Sequence, residues 1–164
     1  QTVMITNFQE YYKLVDYFSE FTKARMGLAM GVYNLIQIFD EKYYRDLSGG
    51  VLEAFGKLFY KDLKIYLYPL KDLESGEIIT STNLKVHPRM KELYKYFKFN
   101  GRIADITKFD PEILEIFSRK AFKMIVNGQS GWEEMLPEGV ANIIKDKRLF
   151  GYSKRKHDTR KKAK

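Results

Sequence analysis

Short apolar runs alternate with segments of helical periodicity along most of the chain. Four runs have the composition of β-strands, and they cover residues 2–6, 26–30, 63–68 and 102–106. Helical spacing of apolar residues recurs between and after these runs. Strands that alternate with helices pair in parallel through right-handed crossovers. The pattern therefore predicts an α/β fold with a mainly parallel, Rossmann-like sheet and helices on both of its faces.

The regular alternation is interrupted between Leu70 and Pro88. Within this stretch, Glu74–Gly76 has the composition of a turn, and Glu77–Thr80 that of a short strand or hairpin arm. We therefore expect residues 70–88 to form an irregular excursion from the sheet.

The carboxyl-terminal part has the composition of a helical segment. Asp110–Pro111 predicts a helix start, because Asp caps a helix and Pro fits its first turn. Asn127–Gly128 predicts the end of that helix, and Pro137 the start of a last one that reaches about Lys147.

The composition is that of a packed globular protein, with 45% hydrophobic residues, 15% aromatic residues and no cysteine among 164. The absence of cysteine excludes disulfides and thiolate metal sites, and it favours a reducing compartment, so we expect a cytoplasmic protein. No apolar run approaches the roughly 18–20 residues that span a bilayer, and no membrane association is expected. The chain opens on Gln1 rather than Met, which indicates an upstream region.

The formal charge of +8 is concentrated at the carboxyl end. Residues 154–164 contain seven Lys or Arg and one Asp, so residues 1–153 carry a net charge of only +2. We predict one α/β domain over residues 1–153 and a mobile basic tail over 154–164. The tail is a candidate contact for RNA, a ribosomal surface or an acidic protein, or else a solubilising end.

Ligands of open parallel sheets bind beyond the carboxyl ends of the strands. Asn7 follows the first predicted strand, and Gly31 and Asn34 follow the second. An Asn side chain can donate and accept hydrogen bonds, and Gly31 lets a ligand approach the backbone. If the first two strands are neighbours, these residues flank one cleft. All three are also ordinary loop residues.

A second candidate lies in the connection from Asp40 to Gly50. Gly49 and Gly50 precede a predicted helix, so their N–H groups could receive a phosphate, with Arg45 supplying positive charge. The alternative is a helix cap surrounded by solvated salt bridges. Neither G-x-G-x-x-G nor G-x-x-x-x-G-K-[ST] is present to specify a nucleotide loop.

Residues for catalysis or metal binding are not evident. His87 and His157 are the only histidines, and no serine or cysteine triad pattern is present. Glu133 and Glu134 beside Trp132 are typical of solvated acids ahead of a helix more than of an acid–base pair. The catalytic residues are therefore unknown, and no metal site is predicted.

The carboxyl-terminal segment carries a family resemblance. The motif runs from Ile116 through Ser118, Ile125 and Gly128 into Leu136–Pro137, and it continues at Val140, Ile144 and Leu149. This pattern resembles the carboxyl end of nicotinate-nucleotide adenylyltransferases. In that family a helix start of the form I-S-[ST]-T-x-I-R binds phosphate. Here Arg119 replaces the phosphate-binding Thr, Phe122 replaces the Arg, and the family's H-x-G-H motif is absent.

A longer resemblance covers residues 1–152. Its motifs are Glu10–Tyr12, Gly31 with Asn34–Leu35, Ile38–Phe39, Glu41–Tyr44, Gly49–Gly50, Leu52–Gly56, Ile65–Pro69, Trp132–Glu133 and Leu149–Tyr152. They are similar to the carboxyl-terminal third of a bacterial family that bears the labels nicotinate-nucleotide adenylyltransferase and TonB-dependent receptor. The receptor label does not fit an α/β pattern. Asn7 stands where that family has Asp, and the resemblance implies an upstream region of the same protein.

These observations give two hypotheses. The first is a nucleotide-binding domain, not catalytic alone, for ATP with Mg²⁺ or a pyridine mononucleotide. Its candidate contacts are Asn7, Gly31, Asn34, Arg45, Gly49, Gly50, Ser118 and Arg119. Ser118 and Arg119 lie too late in the helix that starts at Asp110, unless that helix breaks near Ile116. The second hypothesis is a non-catalytic interaction domain whose basic tail binds RNA, the ribosome or an acidic protein.

Overall fold

The computed structural model describes residues 2–153, and the chain divides into two compact units. The first unit runs to Phe109 and contains the sheet, and the second begins at Asp110. Each unit has its own cluster of buried hydrophobic residues. The prediction of a single domain over residues 1–153 stays a prediction, and the predicted tail lies outside the described residues.

Three of the strands form the parallel sheet of the first unit, in the order β1-β2-β5 with β2 in the centre. The described strands are β1 (Gly27–Gly31), β2 (Lys64–Tyr68), β3 (Leu70–Lys71), β4 (Ile78–Ile79) and β5 (Ile103–Asp105). The strands predicted at 26–30, 63–68 and 102–106 are confirmed, as is their parallel pairing. The fold is therefore of the mixed α/β class.

Helices connect these strands, as the periodicity predicts. In the described part of the chain they are α1 (Tyr11–Phe21), α2 (Val32–Ile38), α3 (Gly50–Leu58), α4 (Lys91–Phe99), α5 (Ser118–Val126) and α6 (Val140–Lys147). Short 3₁₀ turns precede or follow several of them. No helix of residues 2–153 is long and apolar enough to cross a membrane.

The helices of the first unit cover one face of the sheet. Their buried residues form one cluster with the inward side chains of the strands, which include Met30, Ile65 and Ile103. The ring of Phe39, which follows α2, packs edge-on against a ring of α3 and a ring of α4. Both crossovers therefore lie on the same side, as expected when right-handed connections progress in one direction across a sheet.

The prediction of helices on both faces is wrong for the described residues. On the opposite face, Ala29 is exposed, and Tyr66, its neighbour on β2, retains 43% of its surface. The strand order is responsible: because β2 lies between β1 and β5, the chain never reverses direction across the sheet. A reversal would have placed a helix on the second face.

The strand predicted at residues 2–6 is also wrong. No strand is assigned there, and the apolar side chains lie in solvent, with Val3 81% and Ile5 94% exposed. Strand propensity reflects the fit of a residue to a packed, half-buried sheet surface. No described strand pairs with this segment, so its composition alone does not produce a strand.

The irregular segment after β2 is tied to the end of β5 by a buried serine. The N–H and Oγ of Ser81 donate to the two carboxylate oxygens of Asp105, at 2.8 and 2.7 Å. The Ser81 carbonyl accepts from Tyr94 Oη at 2.7 Å and Lys98 Nζ at 2.9 Å. Burial raises the pKa of Tyr94 to about 12.

The antiparallel pair of β3 and β4 confirms the predicted hairpin arm at 77–80.

The helix predicted from Asp110 is two elements rather than one. Asp110 does cap a helix start, since its carboxylate accepts from the Glu112 N–H at 2.9 Å. That element is a 3₁₀ helix, Pro111–Glu115, and the chain then becomes extended at Ile116 and Phe117. The break near Ile116 makes Ser118 the first residue of α5.

Candidate functional site

The predicted cleft between Asn7 and Gly31 is not formed by neighbouring strands. Asn7 lies in the exposed segment before α1, whereas β1, which carries Gly31, pairs with β2. Gly31 ends β1 and directly precedes α2, and a Cβ built there would have no heavy atom within 4 Å. Asn34 is an exposed residue of the same helix. The structure brings Gly31 and Asn34 together at the carboxyl edge of the sheet, without Asn7.

Gly49 and Gly50 lie at the start of α3, which we define as residues 49–53. Glu53 occupies the backbone donor there, because the Gly49 N–H donates to its Oε2 at 2.9 Å. Lys57 completes the arrangement with an ion pair to Glu53 at 3.1 Å. Arg45 is exposed in the turn before this helix. The arrangement is that of a helix cap with a solvated salt bridge.

The charge state of Glu53 follows from these contacts. The hydrogen bond from the Gly49 N–H, together with that of Lys57, lowers the pKa of the Glu53 carboxyl below its ordinary value of 4.5. The start of α3 therefore holds its own negative charge at neutral pH. An incoming phosphate would meet a carboxylate at the position that it needs.

The start of α5, which we define as residues 116–120, has the opposite arrangement. Phe117 precedes the helix and supplies no side-chain cap, and the first turn contains no acid. Lys120 and Ala121 donate their N–H groups to the Phe117 carbonyl, at 2.9 and 3.1 Å. In residues 2–153 the N–H groups of Ser118 and Arg119 have no such acceptor. Two backbone donors therefore point out of this helix end.

Positive charge accumulates at the same helix end. Arg119 and Lys120 are the second and third residues of α5, and both are exposed. Within the described part of the chain neither forms an ion pair. Cations are unfavourable near a helix N-terminus, because the helix dipole places partial positive charge there. A hydroxyl, two backbone donors and two cations could together bind an anion.

Lys120 is the one residue of this group that the sequence interpretation did not select. The sequence shows Lys120 as a second cation beside Arg119. It lies at a helix start only because the chain breaks at Ile116. Ser118 and Arg119 belong to the second unit, and the other predicted contacts belong to the first.

Metal or acid–base chemistry has no visible basis in the described residues. No group of three or more His, Asp or Glu in residues 2–153 is arranged to hold a metal ion. Glu133 forms an ion pair with Lys145 at 2.9 Å, and Glu134 is exposed. These acids have the environment of surface residues, as their position ahead of a helix predicts.

The comparisons with known proteins add no relative. No family model, curated protein or solved structure matches the chain.

Proposed function

We propose that the chain is a nucleotide-binding domain, not catalytic alone, that receives a ligand phosphate at the start of α5. The observation that carries the proposal is the break at Ile116, which makes Ser118 and Arg119 the first two residues of a helix. From the sequence, Ser118 and Arg119 could form a phosphate site only if the helix that starts at Asp110 broke near Ile116. Among the predicted contacts, these two have the most favourable surroundings for an anion.

Several contributions favour a phosphate at this position. The partial positive charge of a helix N-terminus stabilises an anion by about 0.3–1 kcal/mol on an exposed surface. Hydrogen bonds to a charged group contribute about 1.5–3 kcal/mol each, and the Ser118 and Arg119 N–H groups can supply two. Exposure to solvent and the loss of side-chain freedom reduce the sum. We expect a millimolar dissociation constant, which corresponds to about 4 kcal/mol.

The resemblance to nicotinate-nucleotide adenylyltransferases supports the same helix start. Ser118 falls at the [ST] position of their I-S-[ST]-T-x-I-R motif, in which the helix start binds phosphate, and Phe117 replaces the serine before it. Arg119 takes the position of the phosphate-binding Thr, so a guanidinium would contact phosphate in place of a hydroxyl. The H-x-G-H motif is absent from the chain, and we expect no turnover by these residues alone.

An NMR titration tests the proposal. The ¹⁵N-labelled full chain is titrated to millimolar concentrations with inorganic phosphate, a pyridine mononucleotide and ATP with Mg²⁺. We expect the amide resonances of Ser118 and Arg119 to shift in a saturable manner, and Arg119→Gln to weaken binding severalfold. Lys123→Gln is the matched control, because Lys123 is an exposed cation in the last turn of the same helix. It should leave binding unchanged.

Two results would contradict the proposal. One is the absence of shifts at millimolar ligand, or shifts confined to residues 154–164, which would favour the interaction-domain hypothesis. The other is loss of binding in Gly31→Leu with full binding in Arg119→Gln. That result would assign the ligand to the carboxyl edge of the sheet, where the sequence predicted Gly31 and Asn34 as contacts.

A further inference from the structure

The uncovered face of the sheet has an unusual composition. We call it the open sheet face, and by strand register it consists of Gly27, Ala29, Gly31, Lys64, Tyr66, Tyr68 and Ala104. The opposite, covered face carries Leu28, Met30, Ile65, Leu67, Ile103 and Asp105. A parallel sheet that packs against helices is rich in Val, Ile and Leu on both faces. The open sheet face has none of these residues, so its chemistry differs from that of a helix-packing surface.

Tyr66 lies at the centre of this face with its ring accessible. It retains 43% of its surface. A Cβ at Gly27 would lie 3.0 Å from its ring, so the ring leans over β1 and lies close to Gly27. Tyr68 shares the face two residues further along β2, at about 6.6 Å by strand geometry. The small residues on both neighbouring strands leave the flat face of an aromatic ring available for stacking.

Cations lie at the amino end of each strand of the sheet. Arg25 comes two residues before β1, Lys64 is the first residue of β2, and Arg102 directly precedes β5. Lys64 Nζ lies 5.8 Å from the centroid of the Tyr66 ring. Asp62 pairs with Arg102 at 2.7 Å and neutralises part of this charge. The amino edge of the sheet keeps a net positive charge beside the exposed ring.

We propose that the open sheet face binds single-stranded nucleic acid. A base stacks on Tyr66, and the phosphates follow the cations at the amino edge of the sheet. Exposed aromatic rings beside positive charge on a sheet surface are the recurring means of binding single strands, because every base has a flat face. None of its residues belongs to the start of α5.

Fluorescence anisotropy of a labelled oligouridylate tests this inference with the full chain. A length of about 12 nucleotides lies within the range of about 4–16 that one OB-fold domain covers. We expect Tyr66→Ala to raise the dissociation constant about tenfold, the loss of roughly one stacked base. Tyr66→Phe retains the ring and should bind like the parent chain. Lys64→Glu should weaken binding and reduce its dependence on salt.

Tyr43 provides a matched control. It is 44% exposed and has Lys42 Nζ 4.8 Å from its ring centroid, but it lies in a 3₁₀ turn away from the sheet. Tyr43→Ala should leave the affinity unchanged. Parent-like affinity in both Tyr66→Ala and Lys64→Glu would overturn the proposal, and would leave the open sheet face to a protein partner. An equal loss in Tyr43→Ala and Tyr66→Ala would overturn it as well, since exposed Lys–Tyr pairs would then act without regard to position.

Discussion

α3 and α5 each span nine residues, and neither is capped by the side chain of the residue before it. At the start of α3, Glu53 accepts the hydrogen bond of Gly49 and pairs with Lys57. At the start of α5, two backbone donors lack an acceptor in the described residues, and two cations stand beside them. The first helix start carries an acid of its own, and the second carries two cations and no acid.

Glycines before a helix do not by themselves leave a backbone donor free for a phosphate. Gly49–Gly50 has the more conspicuous sequence, yet a carboxylate four residues later occupies its donor. The start of α5 has no glycine. We propose that it binds an anion because its first turn contains no acid. We therefore expect the charges of the first turn, more than its glycines, to determine whether a helix start binds an anion.

The largest expected effect is on the stability of α5, one of the two helices compared. Trp132 is fully buried in the cluster that holds Ile125 of α5 and Ile144 of α6. We expect Trp132→Ala to cost about 3–5 kcal/mol. Hydrogen exchange should show faster exchange of the α5 amides, while the α3 amides stay protected. Ile143→Ala, at a residue 50% exposed on α6, is the control and should change little. Equal loss of protection in α3 would instead support the single domain predicted over residues 1–153.

A charge reversal at α5 should separate binding from stability. Arg119→Glu places an acid in the first turn, so we expect phosphate affinity to fall at least tenfold. The same change should stabilise the helix start by about 0.3–1 kcal/mol, because the acid complements the helix dipole. Phosphate titration and urea unfolding measure the two effects. Loss of affinity with an equal loss of stability would mean that Arg119 supports the fold rather than a ligand.

The converse experiment frees the Gly49 N–H at the start of α3. Glu53→Ala removes the acceptor of the Gly49 N–H and the partner of Lys57, so we expect a slightly lower melting temperature. Phosphate should now shift the Gly49 and Gly50 amides, more weakly than those of α5, since no cation lies in the first turn. Glu53→Gln keeps an acceptor oxygen and is the control. If no new shifts appear in Glu53→Ala, a freed helix start is not enough to bind phosphate.

The smallest effect is a difference in pH response. Because the folded pKa of Glu53 lies below 4.5, its contacts stabilise the chain above that pH and are lost as the pH falls through the folded pKa. We expect the Gly49 amide resonance to move as Glu53 is protonated below pH 4.5. The Ser118 and Arg119 amides, which have no carboxylate acceptor in the described residues, should not follow that titration. A shared midpoint at both helix starts would show that another group controls the change.

The sequence predicted best those elements whose signal is local. The three buried strands and their alternation with helices follow from apolar runs and periodicity, and residues 63–68 are the clearest case. Residues 2–6 have the same composition but no partner strand, and composition does not specify a partner. The open face was missed for a related reason, since strand order is a property of the assembled sheet.

The candidate site was predictable only in part. Ser118 and Arg119 were selected through a motif, but their position at a helix start depended on a break that Asp110–Pro111 obscured. Two extended residues inside a helical pattern leave little trace in periodicity. The occupied state of Gly49 had a visible signal, because a Glu four residues after the glycine can reach back to its N–H. That spacing favours the cap.

The strand order also has a consequence for how fast the sheet forms. Gly27 pairs with Lys64 and Ile65 with Ile103, so each pairing joins residues 37 or 38 positions apart. No two neighbouring strands of this sheet are joined by a hairpin, and each contact must close a long loop before it contributes any stability. Contacts of such high separation slow folding relative to helical proteins of similar size. The parallel pairings should therefore form late, after the helices between them, and stopped-flow refolding should show β-structure signals lagging behind helical ones.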